Sequence, residues 1–368
     1  MTDFLSKSEK EYLSDYMNKV SRSFTLVAPQ VESPLNHYLS TSYLICRVVD
    51  NIEDCTVPYQ AKKSRFSDFS YLLEHPENAE DILSKWERLD WDGLLRDEVK
   101  MMTTGDGLIL WQIYAKIPPS YRASIRKWAG EMAYGMNLVT DLDDDSFFVT
   151  SNQIRLPKTA VDYDRYCFYV AGTVGRMITE LAITYYGIDG DDAAYLLKYS
   201  EACGRALQKT NIVKDFAKDL ARGDSFLPDE WLKEVNYTPF ALKDVPQWWI
   251  KKVLLNVLME LDSSVNYVLC LPKTAVGYRK AGLLMMLPAY QTLLLAAKRC
   301  ETLFTPEHAV KISRTTMGKC VIQAQMMATN DDNIRAYCQE ISQEIKTILN
   351  ISTTVPSIDF ATVSSKTL

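Results

Sequence analysis

Apolar residues recur every three to four positions along nearly the whole chain, the spacing of one face of an α-helix, and alternating strand-like runs are scarce. Ser6-Lys7-Ser8-Glu9 fits a capping box ahead of an apolar face made of Leu5, Tyr12, Leu13, Tyr16, Met17 and Val20. A second long helix is predicted from about Leu35 into the acidic segment 50–54, with Pro58 ending it because proline disfavours helix at the residue before it. Further helices are predicted at about 60–74, 78–88, 92–116, 120–140, 160–186, 191–221, 246–268, 275–303, 305–327 and 331–349. Pro118-Pro119-Ser120, Asp189-Gly190-Asp191-Asp192, Pro228-Asp229 and Leu271-Pro272 punctuate them. The expectation is an all-α fold in one domain over residues 1–350, followed by a frayed Ser/Thr-rich tail, 351–368.

Composition sharpens this picture. Hydrophobic residues make up 47% of 368, enough for a large core, and 14 glycines with 14 prolines are too few for a strand-and-turn architecture. The net charge of −6, without a basic stripe, argues against nucleic-acid binding. Eight scattered cysteines read as reduced, core-packed thiols of a cytoplasmic protein, and the three histidines fall outside every motif. The apolar stretch from Ala281 to Ala297 contains Pro288, Tyr290 and Gln291, and reads as a core helix rather than a membrane span. The N-terminus has no apolar segment of signal-peptide type.

Two acidic clusters carry the candidate chemistry. Tyr43, Arg47, Asp50 and Asp54 form one helical stripe; Gln208, Asn211, Asp215 and Asp219 form another. Apolar residues flank both, so each stripe faces either solvent or a cavity. Two such clusters on helices of matching design favour the cavity. There, Asp50, Glu53, Asp54, Asp215 and Asp219 are hard oxygen ligands suited to two or three Mg²⁺ ions. Arg47, Arg22 in Ser21-Arg22-Ser23-Phe24, Lys214 and Arg222 are candidate cations for a diphosphate, or ordinary surface ion-pair partners. A third segment, Tyr166 to Gly175, places two tyrosines ahead of Ala171, Gly172 and Gly175. It reads either as close helix packing or as the wall of a channel for a long apolar substrate.

These residues resemble the squalene and phytoene synthase family of head-to-head prenyl transferases. The carriers are Val20 through Phe24, Tyr43 through Asp54, Tyr166 through Gly172, Gln208 through Asp219, Phe226-Leu227-Pro228 and Ala309 through Ile312. The resemblance spans about residues 5 to 350, and Gln208-Lys209-Thr210-Asn211 is more similar to the squalene synthase branch than to the phytoene synthase branch. It implies an isoprenoid synthase bundle around a central cavity holding Mg²⁺ and two farnesyl diphosphates. It also implies condensation to presqualene diphosphate and NADPH-dependent reduction to squalene. The implied catalytic set is Tyr43, Tyr166, Asp50, Asp54, Asp215 and Asp219. Ser21, Arg22, Ser23, Phe24, Arg47, Gln208, Lys214 and Arg222 would face substrate, and Asn211, Lys311 and Arg314 would face the nicotinamide cofactor.

The chain departs from the family pattern at Lys218, where Glu is usual, and at Cys55, where a further Asp is common. Arg222-Gly223-Asp224 replaces Gly-Gly-Arg, Ser313 replaces a basic residue, and Leu284 replaces an aromatic one. The last three concern the reductive half and keep open a dehydrosqualene or phytoene synthase, which uses no hydride donor. A non-catalytic prenyl-binding relative and a single-substrate terpene cyclase are the remaining alternatives. No C-terminal anchor of the eukaryotic squalene synthase kind is visible, so a cytoplasmic protein, at most peripheral to a membrane, is expected.

Overall fold

The computed structural model describes residues 4–21, 24–141, 145–151, 154–235, 245–304 and 310–351. Helix α1 (Lys7–Val20) starts on the expected capping box, with the Ser6 hydroxyl accepting from the Glu9 amide and the Glu9 carboxylate accepting from the Ser6 amide. A short α2 (Phe24–Val27) leads to α3 (Leu35–Asp54), which buries Leu44, Ile45, Val48, Val49 and Ile52. Pro58 does not end α3; it caps the start of α4 (Tyr59–Glu74), and the chain has already left the helix at Cys55. Helices α5 (Ala79–Trp86), α6 (Arg96–Met101), α7 (Asp106–Lys116) and α8 (Pro119–Thr140) follow. The single helix expected over 92–116 is thus two. Gly105 precedes α7, and a methyl group on Gly107 would lie 2.4 Å from the Met101 carbonyl oxygen, so the chain folds back on itself there.

Two strands that periodicity does not predict, β1 (Phe148–Ser151) and β2 (Ile154–Pro157), pair antiparallel after α8. The helix expected over 160–186 is α9 (Ala160–Cys167), one wide π-helical turn (Phe168–Gly172) and α10 (Thr173–Tyr186). The long α11 (Gly190–Ala221) then crosses the molecule, followed by α12 (Asp229–Lys233), α13 (Gln247–Cys270), α14 (Val276–Lys298), α15 (Arg314–Met327) and α16 (Asp331–Ile348). The segment expected to start α15 at 305 is non-helical at 310–313, where it is described, with Ser313 extended. Helices α13 and α14 are long and apolar enough to cross a membrane, yet 50% and 72% of their apolar windows lie inside the bundle. Leu283, Leu287, Tyr290 and Leu293 of α14 are fully buried, as the core-helix reading requires. All eight cysteines are unpaired, and the buried apolar side chains form one contiguous cluster.

Helices α3 and α10 both pack on α8, and α11 packs on α10 and α13. A methyl group on Gly204 of α11 would lie 2.1 Å from the Ala171 carbonyl oxygen, and one on Gly175 would lie 2.3 Å from the Ser200 carbonyl oxygen. Backbone touches backbone here, which only glycine permits. Of the two readings of the Gly172–Gly175 segment, close packing is the one observed at Gly175.

Candidate active site

The first acidic cluster sits in the last turn of α3. Asn51 and Ile52 turn into the core, where the Asn51 amide donates to the Glu98 carbonyl at 3.3 Å. That fixes the rotation of the helix and leaves Asp50 and Glu53 half-buried, with Asp54 exposed. Arg47 lies 3.5 Å from the Asp50 carboxylate and donates to the Tyr43 hydroxyl at 3.0 Å. Tyr43 stacks on Phe24 with centroids 4.9 Å apart. Ser21 is buried, and its hydroxyl accepts from the Phe24 amide at 3.0 Å, so its oxygen is engaged in starting α2. Arg22 and Ser23 lie outside the described residues.

The second cluster sits near the end of α11. Ile212, Val213 and Phe216 are buried, which leaves Asp215 and Asp219 half-buried on the other side. Lys214 forms an ion pair with Asp215 at 2.8 Å. Gln208 is half-buried and Asn211 exposed, so the stripe is most open at Asn211 and partly sheltered at both ends. Lys218, at the position where the family carries Glu, is exposed, and the buried Cys55 thiol donates to the Ile52 carbonyl, away from the acids. After α11 the chain turns back through Gly223, whose φ of +92° lies in the left-handed region, and presents Asp224.

Tyr166 lies within electrostatic reach of both clusters. Its ring is buried, stacked on Phe226 at 4.6 Å and 6°, with the Phe148 ring at 5.9 Å and 80°. Burial holds its hydroxyl protonated far above the ordinary tyrosine range, and Glu53 from α3, then Asp219 and Asp224 from the α11 side, push the same way. Asp224 feels Asp54 and Lys62 as well as Arg222 and Arg155, and Arg155 of β2 forms a backbone bridge to it. Carboxylates from opposite helices therefore share one electrostatic environment around one aromatic side chain.

Burial and negative charge outweigh the nearby cations there. Burial raises Asp50 to about 6, with Asp54 and Glu98 adding to it and Arg47 opposing. Burial and Asp54 push Glu53 up to about 8 against the pull of Lys62. Burial and Asp215 raise Asp219 to about 6, with Lys218 and Arg222 opposing. Among the described residues no three carboxylates close on a point tightly enough to hold an ion unaided. The donor set still fits Mg²⁺, which binds through one or two carboxylates and completes its shell with phosphate and water oxygens. Repelling, partly desolvated carboxylates are also groups that a divalent ion would relieve.

Lys62 of α4, whose ammonium donates to the Glu53 carbonyl, escapes a reading of the sequence, as do Arg155 and the stacking role of Phe226. The adjacent Lys62-Lys63 after Pro58 was the available signal for the first. Lys311 lies in the non-helical segment and Arg314 at the start of α15. Both are exposed, and among the described residues no hydrogen bond or ion pair joins either to Asn211 or to the acidic helices.

Residues 17–316 match the squalene/phytoene synthase family model. The squalene synthase of Cyberlindnera jadinii is 26% identical over 336 residues, covering 89% of this chain and 70% of that protein. That of Saccharomyces cerevisiae is 30% identical over 235 residues, covering 62% and 47%. That of Eremothecium gossypii is 30% identical over 237 residues, covering 62% and 48%, so this chain spans about half the length of several curated relatives it matches. Among solved structures, TcSQS bound to a ligand superposes with a TM-score of 0.75 at 22% identity, covering 94% of this chain and 97% of that one. A dehydrosqualene synthase superposes at 0.57 and 18% identity, covering 87% and 96%. These likenesses show the isoprenoid synthase helical fold.

Proposed function

Because this chain belongs to the squalene/phytoene synthase family, we propose that it joins two farnesyl diphosphates head to head and reduces the presqualene diphosphate formed to squalene with NADPH. The observation that carries the reading is the convergence of Glu53, Asp219 and Asp224 on the buried Tyr166. Relatives named squalene synthase support the condensation and the choice of product branch.

Asp50, Glu53, Asp54, Asp215 and Asp219 would hold Mg²⁺, which when bound neutralises a diphosphate leaving group as a Lewis acid. Lys214 and Arg222 on one side, with Arg47 and Lys62 on the other, supply positive charge for diphosphate oxygens. The apolar rings of Phe148 and Phe226 pack against Tyr166 and would shield an allylic cation held there from water. Tyr166 stays protonated, so its hydroxyl donates a hydrogen bond and its ring offers an electron-rich face to positive charge. NADPH supplies a hydride when bound; the amide of Asn211 and the cations Lys311 and Arg314 suit its carboxamide and phosphates. The hydrocarbon product would enter a membrane, so we place the protein in the cytoplasm, at a membrane surface during release.

Incubation with farnesyl diphosphate and Mg²⁺, with and without NADPH, tests this. Squalene formed only with NADPH is the expected outcome; squalene formed without reductant, or no hydrocarbon at all, overturns it. A dehydrosqualene-type product formed regardless of NADPH would favour the second reading. The observation behind that reading is Asp224, where the family carries Arg.

A further inference from the structure

A line of charged side chains runs through the bundle along α11, N-terminal to its aspartates. Arg176 of α10 pairs with Glu201 at 3.1 Å, and Glu201 pairs closely with Arg205. Arg205 reaches Glu260 of α13 at 2.9 Å. Lys209 reaches the same Glu260 at 3.1 Å and Asp164 of α9 at 2.7 Å. Its side chain is only 1% exposed, and its ammonium also lies 5.2 Å from the centre of the Tyr163 ring. Burial works against its charge, but Glu260 and Asp164 outweigh it and hold the ammonium above its ordinary range.

A buried ammonium is a poor way to gain stability, because apolar side chains of similar volume often serve as well or better. What such a group provides is direction: it fixes two partners at one distance. Here the partners lie on α9 and α13, and Asp164 stands two positions before Tyr166. Helix α9 has eight residues and gives way at once to the π-helical turn, so little of its own backbone resists rotation. Its N-terminus is held by the Thr159–Asp162 capping box. Nearer Tyr166, the polar tie to the rest of the bundle is the Asp164–Lys209 pair.

We propose that Lys209 is a positioning residue: by pinning Asp164 it sets the placement of Tyr166 over the aspartates carried by the same helix as Lys209. The inference rests on the synthase reading for its consequence in turnover, but not for its geometry. It assigns the buried lysine of the Gln208–Asn211 segment a role separate from substrate and metal contact.

The test compares Lys209→Met, Lys209→Arg, Asp164→Asn and the double variant Lys209→Met/Asp164→Asn. With farnesyl diphosphate, Lys209→Met is expected to lower kcat about 30-fold with KM changed less than about twofold, the pattern of a misplaced group rather than lost binding. Its melting temperature without metal falls, because Glu260 loses one of its two cations, so kcat is measured well below that temperature, and Mg²⁺ still raises it. Lys209→Arg restores most of kcat, and the double variant is no worse than either single one, because both break one tie. Incorporating 3-fluorotyrosine at position 166 gives a readout independent of turnover. Its ¹⁹F resonance should shift or broaden in Lys209→Met and Asp164→Asn, and hold in Lys209→Arg. Asp164 is half-exposed, so its variant keeps the experiment decisive if Lys209→Met does not fold. An unmoved resonance overturns the inference even if the wild-type chain makes no product, and so does a kcat loss that only tracks a fall in melting temperature. A moved resonance in a chain that turns over no farnesyl diphosphate upholds the positioning and sinks only the synthase reading.

Discussion

The acidic end of α3 and the acidic end of α11 carry nearly the same spacing of carboxylates but face unequal fields. On α11, Asp215 has Lys214 at 2.8 Å, and Lys218 and Arg222 both pull Asp219 down. On α3, Glu53 is pushed up to about 8, and the cation nearest it, Lys62, spends its hydrogen bond on a backbone carbonyl. The difference lies in the neighbours. Asp50 and Glu53 sit where α3 is wrapped by other elements, with Glu98 adding a further negative group, whereas α11 runs out toward solvent and basic residues. Similar patterns in sequence thus become two walls that both carry excess negative charge, with the greatest excess at Glu53.

The sharpest way to break this comparison is to neutralise one wall at a time. Asp50→Asn and Asp219→Asn should each lower turnover of farnesyl diphosphate by about 1,000-fold or more, measured by product formation. Glu53→Gln should raise the metal-free melting temperature more than either, since Glu53 is the most strongly raised carboxylate of the site. Equal shifts would erase the distinction. Next in size, Tyr166→Phe and Tyr166→Ala separate hydroxyl from ring. Both are expected to fall about 100-fold if the donated hydrogen bond matters, while retention by Phe assigns the effect to the ring face.

A smaller effect concerns pH. Asp50 and Asp219 titrate near 6 and Glu53 near 8 in the fold, against ordinary values of 3.8 and 4.5. The folded state therefore holds more protons than the unfolded chain over this range. These groups leave the metal-free protein most stable below about pH 4 and erode that stability as pH rises toward 8. Mg²⁺ should then raise the melting temperature by about 3–5 °C at pH 8 and by little at pH 5, followed by calorimetry. A shift independent of pH would mean that the ion binds elsewhere. The smallest change is expected from Lys214→Ala, a rise in KM of about fivefold from loss of one partly exposed cation.

Most of the fold was legible because helices announce themselves. The Ser6–Glu9 capping box, the proline-led starts of α8 and α13, and the apolar faces of α3 and α16 are local signals. The strands β1 and β2 were not, because four residues each are too few to show a period of two, and their pairing is set by turn and packing. The π-helical turn left no trace in composition; it follows from how Ala171 and Gly172 meet Gly204 across a helix interface. At the site, carboxylates and Tyr166 could be named from spacing and resemblance. Lys62 and Arg155 were not, because they reach it from α4 and β2, whose approach is a tertiary fact, and the Lys62-Lys63 pair marks a basic spot without saying what it faces. Lys311, read as helical, lies in a non-helical segment, since Val310 to Ser313 precede the Ser313 cap of α15.

One contact limits how this molecule can change. Where Gly204 meets the Ala171 carbonyl and Gly175 meets that of Ser200, no atom can be added without driving two helices apart. That seam works as a fixed datum on one side of the bundle. A lineage, or an engineer, seeking room for longer or shorter tails would have to carve from the facing side, where α3 and α8 still carry side chains that can be exchanged.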